Sequence, residues 1–197
     1  MGHRLLLLGW ATLVGVLMAW NALAGPPTDQ LRPEIDRVIK TLEDPALKGD
    51  GKTAARRQAL RAITDSVFDW EEMARRSLGP HWQSRSEAER KEFVTLFRDL
   101  IEQAYASKIE LYSGERVNFA GDAVEGEQAT VRTRLTTRQG QEVPVDYRMT
   151  RKDGRWLIYD VSVEGVSLVG NYRTQFNQII RTSSYEELVR KLKSRNS

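Results

Sequence analysis

Residues 155–182 read RWLIYDVSVEGVSLVGNYRTQFNQIIRT, and this stretch decides the fold. Its opening residues alternate, so Leu157, Tyr159, Val161 and Val163 share one face of a predicted strand. Glu164-Gly165 is a polar corner, where glycine permits a turn that a Cβ resists. Ser167 stands where a helix N-cap is needed. Leu168, Tyr172, Phe176, Ile179 and Ile180 then recur at helical spacing. One apolar wall turns a corner and continues as a second. Two such walls either close a core or leave a crevice, and the residues alone leave both readings open.

Upstream of this stretch the period is two from Glu115. Val117 and Phe119 alternate with Arg116 and Asn118. Ala129, Val131, Thr133 and Leu135 alternate with Thr130, Arg132, Arg134 and Thr136. Val143, Val145, Tyr147 and Met149 follow after Gln139-Gly140, and Asp153-Gly154 is a strong hairpin signal. This predicts an antiparallel meander of about four strands, apolar on one face and charged on the other. Pro144 cannot donate to a ladder, so a bulge or an edge is expected there.

Residues 25–112 are mainly helical by pattern. Leu31, Ile35, Val38, Ile39 and Leu42 form one stripe, with Thr28 or Asp29 as the cap. Leu60, Ile63 and Val67 form another. Asp69 caps a short helix that stops at Gly79-Pro80. Ser86-Glu87-Ala88-Glu89 is a capping box opening the longest helix, whose apolar face carries Phe93, Phe97, Leu100, Ile101 and Tyr105. Ser184-Tyr185-Glu186-Glu187 opens a terminal helix. Helices precede a sheet of 113–164, and helices close the chain over 165–197, which is the α+β class. The one-faced sheet must be covered by the long helix and by the helix after Ser167.

Residues 1–24 are set apart. Leu5 to Leu23 is almost wholly apolar and ends at Ala22-Leu23-Ala24, a small-x-small cleavage pattern. A signal peptide cleaved after Ala24 is expected, with export to the periplasm. An uncleaved anchor is the competing reading, because the run approaches spanning length. The chain has no cysteine, so disulfides play no part and a hydrophobic core must hold the fold. The formal charge is +3, weak evidence for a polyanionic partner, and no nucleic-acid motif is present.

Thiol chemistry is excluded. His81 is the single histidine after Ala24, and a zinc site needs several converging ligands. No phosphate loop, nucleophile elbow or HExxH occurs. The remaining catalytic option is Glu164 as general base beside a tyrosine donor, which would require a carboxyl inside a cavity with a raised pKa. Asp146 and Asp160 fall on the polar face with Arg132 and Arg134, where cross-strand pairing is the ordinary reading.

The segment Tyr159-Asp160-Val161-Ser162-Val163-Glu164-Gly165-Val166-Ser167, with Asn171-Tyr172-Arg173 and Gln175-Phe176, resembles the signature of the MlaC family. Leu78-Gly79, Trp82, Arg90, Phe93, Phe97, Tyr105 and Trp156 fit the same family. The similarity spans about Leu31 to Leu192.

The resemblance implies one lipid-binding domain over 25–197, with a curved sheet similar to nuclear transport factor 2-like folds and an added helical part. It implies a monomeric periplasmic carrier, not an enzyme. Such a carrier takes phospholipid between an outer-membrane lipoprotein–porin complex and an inner-membrane ABC transporter bearing an MCE-domain protein, which maintains outer-membrane lipid asymmetry. Bound lipid is the ligand, and no cofactor or metal is expected. A hopanoid or other polycyclic lipid is the alternative cargo. The lining implied is Val161, Val163, Val166, Leu168, Tyr172 and Phe176. Phe97, Ile101 and Tyr105 are expected opposite, with Val145 and Tyr147 from the neighbouring strand. Glu164 and Arg173 are the rim or headgroup candidates.

Overall fold

A computed structural model describes residues 26–49 and 51–196. The expected signal peptide and cleavage point lie outside the described residues. Four helices come first: α1 (Pro26–Glu43), α2 (Thr53–Val67), α3 (Trp70–Leu78) and α4 (Glu87–Glu110). The strands β1 (Arg116–Glu125), β2 (Gln128–Thr136), β3 (Glu142–Lys152), β4 (Arg155–Val163) and β5 (Val166–Ser167) follow, then α5 (Leu168–Thr182) and α6 (Tyr185–Asn196). The sheet is antiparallel and its order is the chain order, β1-β2-β3-β4-β5. This is the α+β arrangement read from the sequence, with a two-residue fifth strand added. No helix of the described residues is long and apolar enough to cross a membrane.

Local signals explain most boundaries. Asp69 Oδ1 accepts from the Glu72 N–H at 3.0 Å and starts α3. Gly79 ends it at φ 58°, a left-handed position that suits glycine. Ser86 and Glu89 make the reciprocal capping box: the Ser86 N–H donates to Glu89 at 2.7 Å and the Glu89 N–H to Ser86 Oγ at 3.3 Å. The start of α1 differs from expectation. Thr28 is buried inside the helix, and its N–H donates to Asp122 Oδ2 of β1 at 3.0 Å. The cap thus comes from across the sheet. Gln30 clamps α1 to β4 by exchanging hydrogen bonds with the Trp156 backbone, at 2.6 and 2.9 Å.

Two β-bulges change which side chains share a face. In the β3–β4 ladder Arg148 pairs with Asp160, but Met149 pairs with Ile158. Tyr159 is therefore the extra residue, and the alternation inverts there. Trp156 and Ile158 join Val161 and Val163 on one face. Leu157 and Tyr159 do not share that face, which corrects the strict alternation expected from sequence. Tyr159 instead packs with the helical core of α3, α4, α5 and α6. A second shift lies between Phe119 and Gly121. Pro144 is neither bulged nor on an edge strand. It pairs with Arg134 in β3, and its carbonyl accepts from the Glu164 N–H at 3.0 Å. The β3–β4 ladder itself begins one residue on, at Val145 and Val163. The missing proline donor thus falls where β4 has ended.

Apolar side chains gather in two clusters. One joins Phe93, Phe97, Phe176, Tyr185 and Leu188 between helices. The other joins Leu31, Val67, Val131, Met149, Trp156 and Ile158 at one end of the sheet. Between α1, α2 and the remaining sheet face the molecule is not filled.

Candidate lipid cavity

The unfilled space has a volume of about 850 Å³. One wall is α1 and α2, through Ile35, Val38 and Ile39, and Leu60, Ile63 and Val67. The facing wall is the sheet, through Val117, Leu135, Tyr147, Ile158, Val161 and Val163. Ile101 and Tyr105 of α4 and Leu168 of α5 close the side. Leu31, Ile63, Val67 and Ile158 are buried and seal one end. At the other end the lining residues Val163 and Val166 are 39% and 64% exposed, and this is the mouth. Burying such a surface without a ligand wastes dispersion contacts along both walls, which argues for an apolar occupant.

The corner of the quoted stretch forms the lip. Glu164 and Gly165 have φ 51° and 81°, a two-residue turn of the primed type that matches strand twist. Val163 pairs with Val166 across it. Both valines line the cavity, and exposed Glu164 sits between them in the turn.

Behind the lip, Asp160 fixes where α5 begins. It is 3% exposed. Its Oδ2 accepts from the Ser167 hydroxyl at 2.6 Å and its Oδ1 from the Val169 N–H at 3.0 Å. Ser167 Oγ in turn accepts from the Gly170 N–H at 2.8 Å. Arg148 lies 3.3 Å from the same carboxylate, but its side chain is about half exposed, so solvent screens that pair. Asp160→Ala strands a hydroxyl and an amide donor. We predict a loss of about 2 kcal/mol, a fall in Tm of roughly 4–8 °C in a calorimetric melt. An unchanged Tm would show that α5 is positioned without this carboxylate.

Seven of the residues expected to line a lipid site lie on this cavity: Ile101, Tyr105, Tyr147, Val161, Val163, Val166 and Leu168. Four expected there stand elsewhere, three of them in the helical core. Phe97, Tyr172 and Phe176 pack with one another and with Phe93, at ring-centroid separations of 5.5–6.2 Å. The apolar stripe of α5 is wide, and its Phe176 side meets α4 instead of the sheet. Val145 is next to the lip but outside the lining, and Arg173 belongs to a smaller pocket on the other side of the sheet. The walls from α1 and α2 were visible as stripes but were not assigned to a lining. Ile158 was hidden by the bulge.

Polar groups in the cavity are few. Tyr147 is half-buried on the cavity wall, and desolvation pushes its hydroxyl up to about 12 against a lowering hydrogen bond with Thr133. Burial likewise raises Tyr105. Glu34, Glu102 and Glu115 are the carboxyls of the lining, and Glu102 is the one raised as an enzyme reading requires. Burial raises it, against Arg61 and Arg98, whose Nε atoms lie 3.3 and 3.7 Å away. It belongs to a strut tying α2 to α4 through Arg61, Asp99 and Arg98. Glu164, the proposed base, lies outside the lining. His81 is occupied by Asn177 at 3.0 Å, and among the described residues no His, Cys, Asp and Glu cluster is fit to hold a metal ion.

The tyrosines give a direct check. A phenol whose folded pKa is raised stabilises the fold below pH 10, and that contribution is lost as pH rises through the folded value. We predict that Tyr147 and Tyr185, both pushed up to about 12, ionise last in an ultraviolet titration. Tyr147→Phe should remove one late-titrating phenol. Retention of the full late amplitude would contradict the burial of this side chain.

An α+β frame with an apolar cavity opening at one end of an antiparallel sheet defines the class as a binding protein for an elongated apolar ligand. The family model described as MlaC protein matches residues 33–194. The chain belongs to the MlaC family, a family of lipid-binding carriers and not of enzymes. It is 27% identical over 120 residues to the intermembrane phospholipid transport system binding protein MlaC of Haemophilus influenzae. That alignment spans 58% of this chain and 56% of the relative, so the chain matches about half the relative's length. The phospholipid-binding protein from Ralstonia solanacearum, solved in complex with a phospholipid, has a similar fold. Its TM-score is 0.75 at 21% identity, covering 87% of this chain and 97% of that one.

Proposed function

We propose that this protein is a phospholipid carrier of the periplasm, and that residues 25–197 do the carrying once residues 1–24 are removed. The cavity volume is the observation that supports this most. At roughly 30 Å³ per water-sized unit, 850 Å³ takes about 28 such units, the scale of two long acyl chains. At ~0.8 kcal/mol per CH₂, two chains of about sixteen carbons represent a gross burial near 25 kcal/mol. A lipid crosses water slowly on its own for that reason. A cavity about as apolar as the bilayer makes the transfer nearly balanced, and the partners' relative affinities then set the direction.

In this reading the acyl chains lie between α1, α2 and the sheet, and the headgroup stays at the Val163–Val166 lip. The carrier exchanges lipid with an outer-membrane lipoprotein–porin complex and with an inner-membrane ABC transporter bearing an MCE-domain protein. The name of the Haemophilus relative supports a transport role, and the phospholipid complex of the Ralstonia protein supports the cargo.

Mass spectrometry of solvent extracts from periplasmically purified protein tests the cargo. Glycerophospholipid at near-stoichiometric amount is the expected result. A hopanoid in its place would replace the cargo. Lipid-free protein with full secondary structure would overturn the carrier reading.

A further inference from the structure

On the other side of the sheet, between α3, β3, β4 and α5, lies a half-open pocket of about 160 Å³. Arg76, Arg148 and Arg173 line it, with Tyr159 and Asp160. Each arginine is held by a different device. Glu72 accepts from Arg76 Nε at 2.6 Å, and the Arg76 guanidinium lies 4.0 Å from the Tyr159 ring centroid. Arg148 reaches Asp160 through Nη1 at 3.3 Å. The Arg173 stem passes over Gly79, where an added Cβ would sit 3.3 Å from Arg173 Cδ. Arg173 has no ion pair among the described residues. The one carboxylate in the lining, Asp160, already accepts the Ser167 and Val169 donors, and Glu72 pairs with Arg76 from outside the lining, so three cations meet two carboxylates and an excess positive charge remains.

We propose that this pocket binds a phosphate group through Arg76, Arg148 and Arg173. A carboxylate has two oxygens, which one guanidinium fork satisfies. Three forks supply more donors than that, and a phosphate offers the additional acceptor oxygens. The space accommodates about five water-sized units, which suits one tetrahedral anion with little room to spare. Two anions of this kind are available to such a protein, free inorganic phosphate and the phosphate of a carried lipid. Ser167 lines both this pocket and the apolar cavity, so a headgroup leaving the lip has a short path to the arginines.

Phosphorus-31 line broadening of inorganic phosphate, added to the full chain at low ionic strength, tests the proposal. The titration is run on lipid-loaded and on delipidated protein. Binding in both preparations assigns the site to free phosphate. Binding only after delipidation assigns it to the lipid headgroup. In either case Arg173→Gln should weaken binding at least about tenfold, with circular dichroism unchanged. Arg151→Gln, which removes an equal charge outside the pocket, should leave binding intact. Absence of broadening in both preparations overturns the proposal. So does an equal loss in the Arg151 and Arg173 variants, which would mark diffuse charge attraction.

Discussion

Val161→Trp is expected to reduce copurified phospholipid at least tenfold, from about 2 kcal/mol of lost burial, while circular dichroism stays unchanged. Val161 stands opposite Tyr147 on the cavity face of β4. Its side chain packs beside the sheet-end cluster on one side and faces the cavity on the other, so the indole can extend into the cavity with little overpacking of the core. The space it takes is space that acyl chain would occupy. Excluding even two or three methylenes, at ~0.8 kcal/mol each, accounts for the stated loss. Leu168→Trp acts from the side wall in the same sense. Val163→Trp has a weaker effect, because that residue is 39% exposed at the lip and the ring can swing outward. Full lipid content in folded Val161→Trp protein would place the lipid somewhere else.

Phe97→Ala is expected to do the opposite. It should cost about 4 kcal/mol of stability, lowering Tm by roughly 8–16 °C, and leave the lipid content of the remaining folded protein unchanged. Phe97 is 0% exposed. Its ring meets Tyr172 and Phe176 edge-on, at 5.8 and 6.1 Å, so truncation leaves a void among close-packed rings. Denaturant melts read the first quantity and lipid extraction reads the second. A large loss of lipid with little loss of stability would return Phe97 to the cavity, where the family resemblance had placed it.

The two variants mark how far the sequence reaches. The meander, the capping box at Ser86, the Ser184 cap and the Glu164-Gly165 corner are local, and local residues specify them. The existence of two apolar walls was legible for the same reason. Their partners were not. Helical spacing shows that Tyr172 and Phe176 face inward, but not whether inward means α4 or the sheet. The Tyr159 bulge depends on how β3 and β4 register, and strict alternation along β4 alone gives the wrong side for Leu157 and Tyr159. The stripes of α1 and α2 carry no mark separating a packed wall from a cavity wall, since both are apolar. Family resemblance supplied the crevice, and the structure supplied its position.

That position explains the division of labour within the quoted stretch. Ile158, Val161 and Val163 line the cavity, Val166 and Leu168 carry the lining around the lip, and Asp160 anchors the turn from behind. Tyr172 and Phe176 then tie α5 into the helical core. The lip is thus held at both ends while its apolar face stays open, as a site that must load and release a lipid requires.

The most direct test is photocrosslinking with a phospholipid that carries a diazirine in its acyl chain, followed by peptide mapping of the adducts. Adducts are expected on Ile158, Val161 and Tyr147 of the sheet and on Ile35 and Ile63 of the facing helices. Adducts confined to Phe97, Tyr172 and Phe176, or to the outer surface, would contradict lipid binding in this cavity.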